Sequence, residues 1–254
     1  MEESGRVLSE IVNGVGIISF YHTKSNSLPK SLLKDLTLQI DKFSKDKKVN
    51  VIQLQTEGTK VFCAGAYFDE LLTIKTLEDG KEFFLGFANL LNTMRKCPKF
   101  IITKVIGKAI GGGVGIIAAS DYVIASENAS LKLSELSLGI GAFVIGPMIE
   151  HKVGKHAFLN MSINTGWYNS EWAYKIGLYS ELHKTNEEVE AAVENHSMRL
   201  AEYNPESMQK FKEVYWNTYF DWDTLLDERA AISGELVLSS HTKKFIRSFK
   251  GGNK

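Results

Sequence analysis

GKAIGGGVGIIAASDYVIASENASLKLSE, residues 107–135, is the stretch on which the reading of this chain turns. It opens on a glycine cluster, Gly111, Gly112, Gly113 and Gly115, and closes on a carboxylate, Glu135. Glycines permit positive φ and let backbone lie directly against a ligand, at an entropic cost that a merely structural turn seldom justifies. Val114, Ile116, Ile117, Ala118 and Ala119 predict a short buried helix whose first turn begins inside the glycines. The unpaired N–H groups of such a helix start can point at an oxygen carrying developing negative charge. A tight strand-to-helix turn is the plainer alternative.

Upstream, an apolar run from Phe100 to Ile106 predicts a buried strand feeding the cluster, and apolar residues at helical spacing from Leu77 through Phe83, Phe84, Phe87, Leu90, Leu91 and Met94 predict a helix that stops before Pro98. Before that helix lies a second informative stretch, VFCAGAYFDELL, with small residues Cys63, Ala64, Gly65 and Ala66 between an apolar strand and a helical turn. Small side chains let the Ala66 N–H approach a ligand atom, as a second oxyanion donor requires; a close-packed strand end would read the same way. Further back, Val7–Val12 and Val15–Phe20 read as a hairpin across Asn13-Gly14. Pro29 suits the first turn of a helix carrying Leu32, Leu33, Leu36, Ile40 and Phe43, and Val51–Gln55 is a short buried strand. This alternation predicts an α/β fold with a largely parallel sheet.

Downstream, Tyr122–Ala125 reads as a strand, and Leu131 and Leu133 alternate with polar residues up to Glu135. Phe143–Val153 enters a helix ending near Gly154, Ala157–Met161 is helical, and Ser170 is the expected N-cap of EWAYKIG. Amphipathic helices follow over 187–203 and 205–216, then one long helix over 224–238 and a short basic one over Lys243–Phe249. The expected organisation is an α/β core over residues 1–200 and a helical C-terminal region over 201–254.

Composition narrows the classes. The chain has 254 residues, 44% of them hydrophobic, and zero formal net charge, which suits a soluble globular protein and gives no electrostatic footprint for nucleic acid or an anionic membrane. Its charged start, MEESGRVLSE, has no apolar run of signal-peptide length, and Cys63 and Cys97 form neither metal-ligand spacing nor a disulfide framework. A reducing, cytoplasmic compartment is therefore expected, with no membrane insertion. The six scattered histidines give no support for a metal.

Taken together, Asn26 and its loop, FCAGAYFDEL at 62–71, GKAIGGGVGIIAASD at 107–121, SELSLGIG at 134–141 and the GLYSEL run from Gly177 resemble the crotonase superfamily, the enoyl-CoA hydratase and isomerase family. The resemblance covers nearly the whole chain. It implies repeated ββα units in two nearly perpendicular sheets, a homotrimer or homohexamer assembled through the C-terminal helices, and an acyl-CoA thioester substrate whose coenzyme A takes the place of a separate cofactor. It assigns the two backbone oxyanion donors to Ala66 and Gly112. Hydratases of the family carry glutamates at the positions matching Gly115 and Glu135; here the first is glycine and the second is kept. Two carboxylates can hold and activate a water, whereas one can still move a proton between carbons, so the expected reaction is Δ3 to Δ2 double-bond isomerisation, with an enoyl-CoA or methylglutaconyl-CoA hydratase as the alternative. Bulk at Ala142-Phe143 points the same way. Ala64, Tyr67, Gly111, Gly115 and Phe143 are the expected substrate-lining residues. Lys243 and Lys244, with Arg247, are candidates for the coenzyme A phosphates, an ordinary solvated basic face being the alternative.

Rival readings exist. Gly113-Val-Gly115-Ile-Ile-Ala118 matches the GxGxxA form of a dinucleotide fingerprint, and a lost carboxylate also suits a non-catalytic acyl-CoA binder. Asp69 and Glu70 read as solvated helix charges rather than a second catalytic acid. Trp167, Tyr168 and Trp172 read as helix-packing aromatics in preference to a binding platform.

Overall fold

The computed structural model describes residues 5–216 and 221–251. Asn13 at φ 49° and Gly14 at φ 82° make the two-residue turn that the Asn-Gly pair predicts, joining β1 (Gly5–Val12) to β2 (Val15–His22). Pro29, extended at φ −69°, precedes α1 (Lys30–Lys45), whose buried stripe is Leu32, Leu33, Leu36, Ile40 and Phe43. There follow β3 (Val51–Thr56), β4 (Val61–Cys63), α2 (Phe68–Thr73) and α3 (Leu77–Lys96), the last opened by a capping box between Thr76 and Asp79. Leu77 itself is exposed, so the apolar stripe of α3 starts a turn later than its spacing suggests. β5 (Ile101–Val105) is followed at once by β6 (Lys108–Ile110), α4 (Gly112–Ala119), β7 (Tyr122–Ser126) and β8 (Ser130–Lys132). α5 (Gly146–Asn164) breaks at Gly154, whose φ of 80° and ψ of 158° are not helical. β9 (Tyr168–Asn169), α6 (Ser170–Lys175), β10 (Glu181–His183), α7 (Asn186–Ala201), α8 (Pro205–Trp216), α9 (Trp222–Val237) and α10 (Ser240–Gly251) complete the order.

One N-cap differs from expectation. Asn169, not Ser170, caps α6 by accepting from the Trp172 N–H at 2.9 Å, while the Ser170 hydroxyl donates to the Glu127 carbonyl at 2.6 Å. An amide oxygen serves the cap as well as a hydroxyl does, which frees the serine to tie α6 to the turn after β7.

The strands form two sheets. One runs β1-β2-β3-β5-β7-β10, parallel throughout except for the β1–β2 hairpin. The other runs β4-β6-β8-β9, with only the β8–β9 pair antiparallel. The larger sheet is covered on both faces. Ile18, Phe20, Ile52, Leu54, Ile101, Val105 and Val123 pack into the main core, while Val15, Val51, Ile102 and Ile124 pack with Val189 and Val193 of α7, as the period of two along each strand requires. Trp222, Leu226, Ala230 and Val237 of α9 belong to the main core as well. Among the described residues no helix is long and apolar enough to cross a membrane.

Besides this apolar packing, two close contacts help to hold the C-terminal helices on. Asp121, between α4 and β7, accepts from the Ile101 N–H at 2.8 Å and the Lys212 ammonium at 2.6 Å through Oδ2, and from the Trp216 indole at 3.2 Å through Oδ1. This docks α8. The second contact is a glycine pair where α3 crosses α9: a Cβ at Gly80 would lie 2.5 Å from the Gly234 carbonyl oxygen and 2.7 Å from its Cα. Replacing glycine by alanine inside a helix gains about 1 kcal/mol of propensity, but forcing two backbones apart costs about 1–3 kcal/mol. Gly80→Ala is therefore expected to lower the midpoint of urea unfolding, and an unchanged or raised midpoint would show that the helices can separate there without cost.

Candidate active site

The site is built on a seam between two backbone segments. Asn26, at φ 52°, folds the loop after β2 by accepting from the His22 N–H at 3.0 Å and donating to the Val61 carbonyl at 2.9 Å. That loop meets the end of β4 in a parallel bridge between Leu28 and Ala66. The bridge uses the Gly65 carbonyl and the Tyr67 N–H, so the Ala66 N–H faces the other way. Across from it the Gly111 N–H donates to the Lys132 carbonyl at 3.1 Å, and the Gly111 carbonyl accepts from Val114 and Gly115. The Ala66 and Gly112 N–H groups have no acceptor among the described residues.

Glycine is required along this seam for space. Gly65, at φ 77°, lies so close to the other segment that a Cβ would sit 2.8 Å from the Ile110 carbonyl oxygen and 3.1 Å from the Gly112 nitrogen. A Cβ at Gly112 would overlap the Phe87 ring, and one at Gly113 would sit 2.7 Å from the Cys63 carbonyl oxygen. Gly111 leaves room for Glu135, whose Oε1 a Cβ would overlap.

Glu135 stands on a tight loop whose shape is set by its own carbonyl, which accepts from the Leu138 and Ile140 N–H groups at 3.1 and 3.0 Å. Its Oε2 is sealed from solvent and has no hydrogen-bond partner. Burial pushes the carboxyl up to about 7, against the smaller opposing pull of the Glu135 and Ser134 backbone N–H groups and of Lys132.

Ala66, Gly111, Gly112 and Glu135 line one inner chamber of about 60 Å³. Its remaining walls are largely apolar and include Phe84, Phe87, Ala142 and Phe143. Ser233, which sequence reading passed over as one more polar residue of a helix, also lines it. The residue is buried and its hydroxyl has no hydrogen-bond partner among the described residues. Ala64, Ala66, Phe68 and Ser134 are shared with an outer chamber of about 600 Å³.

The outer chamber holds Tyr67, whose hydroxyl donates to Asp69 at 2.9 Å. Its cations are Lys24, Lys108 and Lys132. Lys243 and Lys244 line neither chamber; from α10 it is the aromatic residues Phe245 and Phe249 that do. Trp167 differs from the packing role expected of it: it is exposed, lines the outer chamber, and has the ammonium groups of Lys108 and Lys132 at 5.2 and 5.1 Å from its ring. Tyr168 and Trp172 pack on each other, with ring centroids 4.1 Å apart. The register explains the grouping. Ile110 lies opposite Lys132 and Ser130 opposite Asn169, which brings Lys108, Lys132 and Trp167 to one face of the smaller sheet.

Gly115 does not reach the chamber. It faces Ile145, and a Cβ there would lie 2.6 Å from Ile145 Cγ2 and 2.9 Å from its Cβ. Asp69 belongs to the outer chamber, and Glu70 accepts from the Lys30 N–H at 2.8 Å, capping the start of α1. Glu135 is the one carboxylate lining the inner chamber among the described residues. Residues 113–118, which match a dinucleotide fingerprint, are all buried inside α4 and offer no phosphate-binding loop.

Comparison with known proteins gives the family and the fold. A model of the enoyl-CoA hydratase/isomerase family matches residues 10–250. A protein of Bacillus subtilis (strain 168) named "Probable enoyl-CoA hydratase" is 28% identical over 92% of this chain and 92% of its own. The mitochondrial methylglutaconyl-CoA hydratase of Mus musculus is 29% identical over 66% of this chain and 53% of that protein. The crystal structure of an enoyl-CoA hydratase from Bacillus halodurans superimposes with a TM-score of 0.89, covering 95% of this chain and 99% of that one at 20% identity, a likeness of fold.

A carboxyl whose pKa rises on folding favours the folded state below its unfolded value and loses that advantage as pH climbs to its folded value. The Glu135 contribution should therefore decline between pH 4.5 and about 7 and stay flat above. Glu135→Gln removes the titration. Its stability relative to the parent should rise across that window by up to about 3 kcal/mol, read from urea midpoints at a series of pH values. A constant difference between the two proteins would mean that Glu135 titrates as an ordinary exposed acid.

Proposed function

The chain belongs to the enoyl-CoA hydratase/isomerase family and is an enzyme of it, and on that premise we propose that it moves the double bond of an enoyl-CoA thioester from the 3- to the 2-position. The observation that carries the reading is the single carboxylate of the inner chamber, with the second position closed by Ile145 against Gly115.

In this reading the substrate thioester oxygen lies against the Ala66 and Gly112 N–H groups. Glu135, as carboxylate, takes a proton from C2, and the electron pair moves through the π system to the thioester oxygen. Two preorganised donors there are worth about 2.7–4 kcal/mol each, by the measured cost of deleting one such donor. Glu135, now protonated, returns the proton to C4, the double bond settles between C2 and C3, and the carboxylate is regenerated. A base that gives back what it takes works best when its pKa lies near the working pH, and a Glu135 value of about 7 meets that need. Lys24, Lys108, Lys132 and Trp167 suit the phosphates and the adenine of coenzyme A, which arrives with the substrate, so no separate cofactor is needed.

A second reading, hydration of the 2-enoyl thioester, is favoured by Ser233. Its unpartnered hydroxyl in the chamber supplies a hydrogen-bonding group for a water beside Glu135. The two readings separate in one assay. Purified protein should convert a 3-enoyl-CoA to the 2-enoyl isomer faster than it hydrates that product, with Glu135→Gln slowing isomerisation about 10²–10⁴-fold. Faster hydration than isomerisation, abolished in Ser233→Ala, would decide for the hydratase.

A further inference from the structure

The inner chamber does not end the cavity system. Beyond it lies a third chamber of about 280 Å³, lined by Gly146, Pro147, Phe158, Leu159, Ser162 and Arg229 among others. The two chambers share Glu135, Gly141, Ala142 and Phe143 in their walls. Gly141, at φ 94°, turns the chain so that the Phe143 ring folds back over it, and a Cβ at Gly141 would lie 2.7 Å from Phe143 Cε2. Of the three uncharged residues in the partition, Phe143 alone carries a large side chain; Gly141 and Ala142 contribute little more than backbone.

The volumes give this partition a meaning. An apolar cavity of about 150 Å³ accepts benzene, six carbon atoms; by proportion, about 60 Å³ holds two or three carbons beyond a thioester carbonyl seated at the Ala66 and Gly112 N–H groups. Of the two chambers that share its walls, the outer one takes the coenzyme A in this reading, which leaves the third, behind Phe143, for a longer chain. Interiors are close-packed and yield little to an extra methylene, at a cost of about 1–3 kcal/mol, so a chain of eight carbons cannot be taken up by small adjustments.

We propose that Phe143 is the stop that fixes acyl length, making this a site for acyl groups of about four carbons, and that its removal joins the inner chamber to the third. This rests on the acyl-CoA reading above but is independent of whether the double bond migrates or water adds, since either reaction needs the chain to be seated. The third chamber then serves as unused length in the parent protein. Arg229 and Glu150 both stand in its lining, so the joined cavity would have a charged far wall of mixed sign.

Binding of saturated thioesters tests this without invoking catalysis. Butanoyl-, hexanoyl- and octanoyl-CoA are titrated into the parent, Phe143→Ala and Phe143→Leu by calorimetry, with circular dichroism to verify folding. The parent should bind butanoyl-CoA at least tenfold more tightly than octanoyl-CoA. Phe143→Ala should erase or reverse that ratio, and Phe143→Leu should fall between. A parent that binds octanoyl-CoA as tightly as butanoyl-CoA, or folded variants that keep the parent's ratio, would overturn the stop while leaving the acyl-CoA reading intact. Failure of the parent to bind any of the three thioesters would overturn both.

Discussion

The structure depends on backbone meeting backbone where no Cβ intervenes. Gly65 lies against Ile110 and Gly112, Gly113 against Cys63, Gly111 against Glu135, and Gly112 against Phe87. Each is a contact that one methyl group would break, and together they fix the distance between the end of β4 and the start of α4 to within the tolerance of van der Waals packing. The orientation of the Ala66 and Gly112 N–H groups follows from that seam rather than from side-chain hydrogen bonds. Preorganisation of this kind survives the arrival of a ligand because nothing has to rotate to receive it.

The same region contrasts two acids. Asp121 is engaged by a backbone N–H, an ammonium and an indole, which is how a buried carboxylate is ordinarily made tolerable. Glu135 has one oxygen sealed away with no donor at all. A fold able to give Asp121 three partners could give Glu135 one, and hydrogen bonds to charged groups are worth about 1.5–3 kcal/mol each. The cost is concentrated at the one carboxylate that lines the inner chamber among the described residues, the pattern expected of a working acid or base rather than of a structural one. The Lys152 ammonium, whose pKa burial lowers, instead donates to the Ser120 and Asp121 carbonyls at the far end of α4.

Much of this was legible in the sequence, for reasons that can be stated residue by residue. Leu32 to Phe43 and Phe83 to Met94 repeat at the helical period because each faces the core, and Asn13-Gly14 has the one backbone conformation a tight hairpin needs. The glycine seam and Glu135 could be read because their chemistry is local in sequence. β6, β9 and β10, of two or three residues, are too short to display a repeating pattern, and only pairing defines them. Trp167 was missed for a related cause: in its own segment it is one of three aromatics, and only the register of β8 and β9 brings it to the lysines. The basic cluster at Lys243 and Lys244 looked more informative than the scattered Lys24, Lys108 and Lys132, because clustering in sequence is visible and clustering in space is not. Ser233 carries no signal of its own, since a serine on a helix is ordinary until its hydroxyl is found without a partner.

The glycine at 115 shows how the absence of a side chain at one position is held in place by its neighbours. From sequence it is a missing carboxylate, reversible by one substitution. In the folded protein the space that a side chain would enter is taken by Ile145, whose Cβ and Cγ2 lie within 2.9 Å of where a new Cβ would be. Ile145 is itself buried and lines the inner chamber, so its methyl groups serve two surfaces at once, filling the gap over α4 and shaping the chamber wall. A carboxylate introduced there would have to displace an apolar side chain and then lie buried without a donor, two separate penalties of several kcal/mol in sum. The single-carboxylate chamber is therefore a property of the packed unit of Gly115, Ile145 and Leu91 rather than of one residue. Adding a second acid there would require the wall of the inner chamber to be rebuilt along with it.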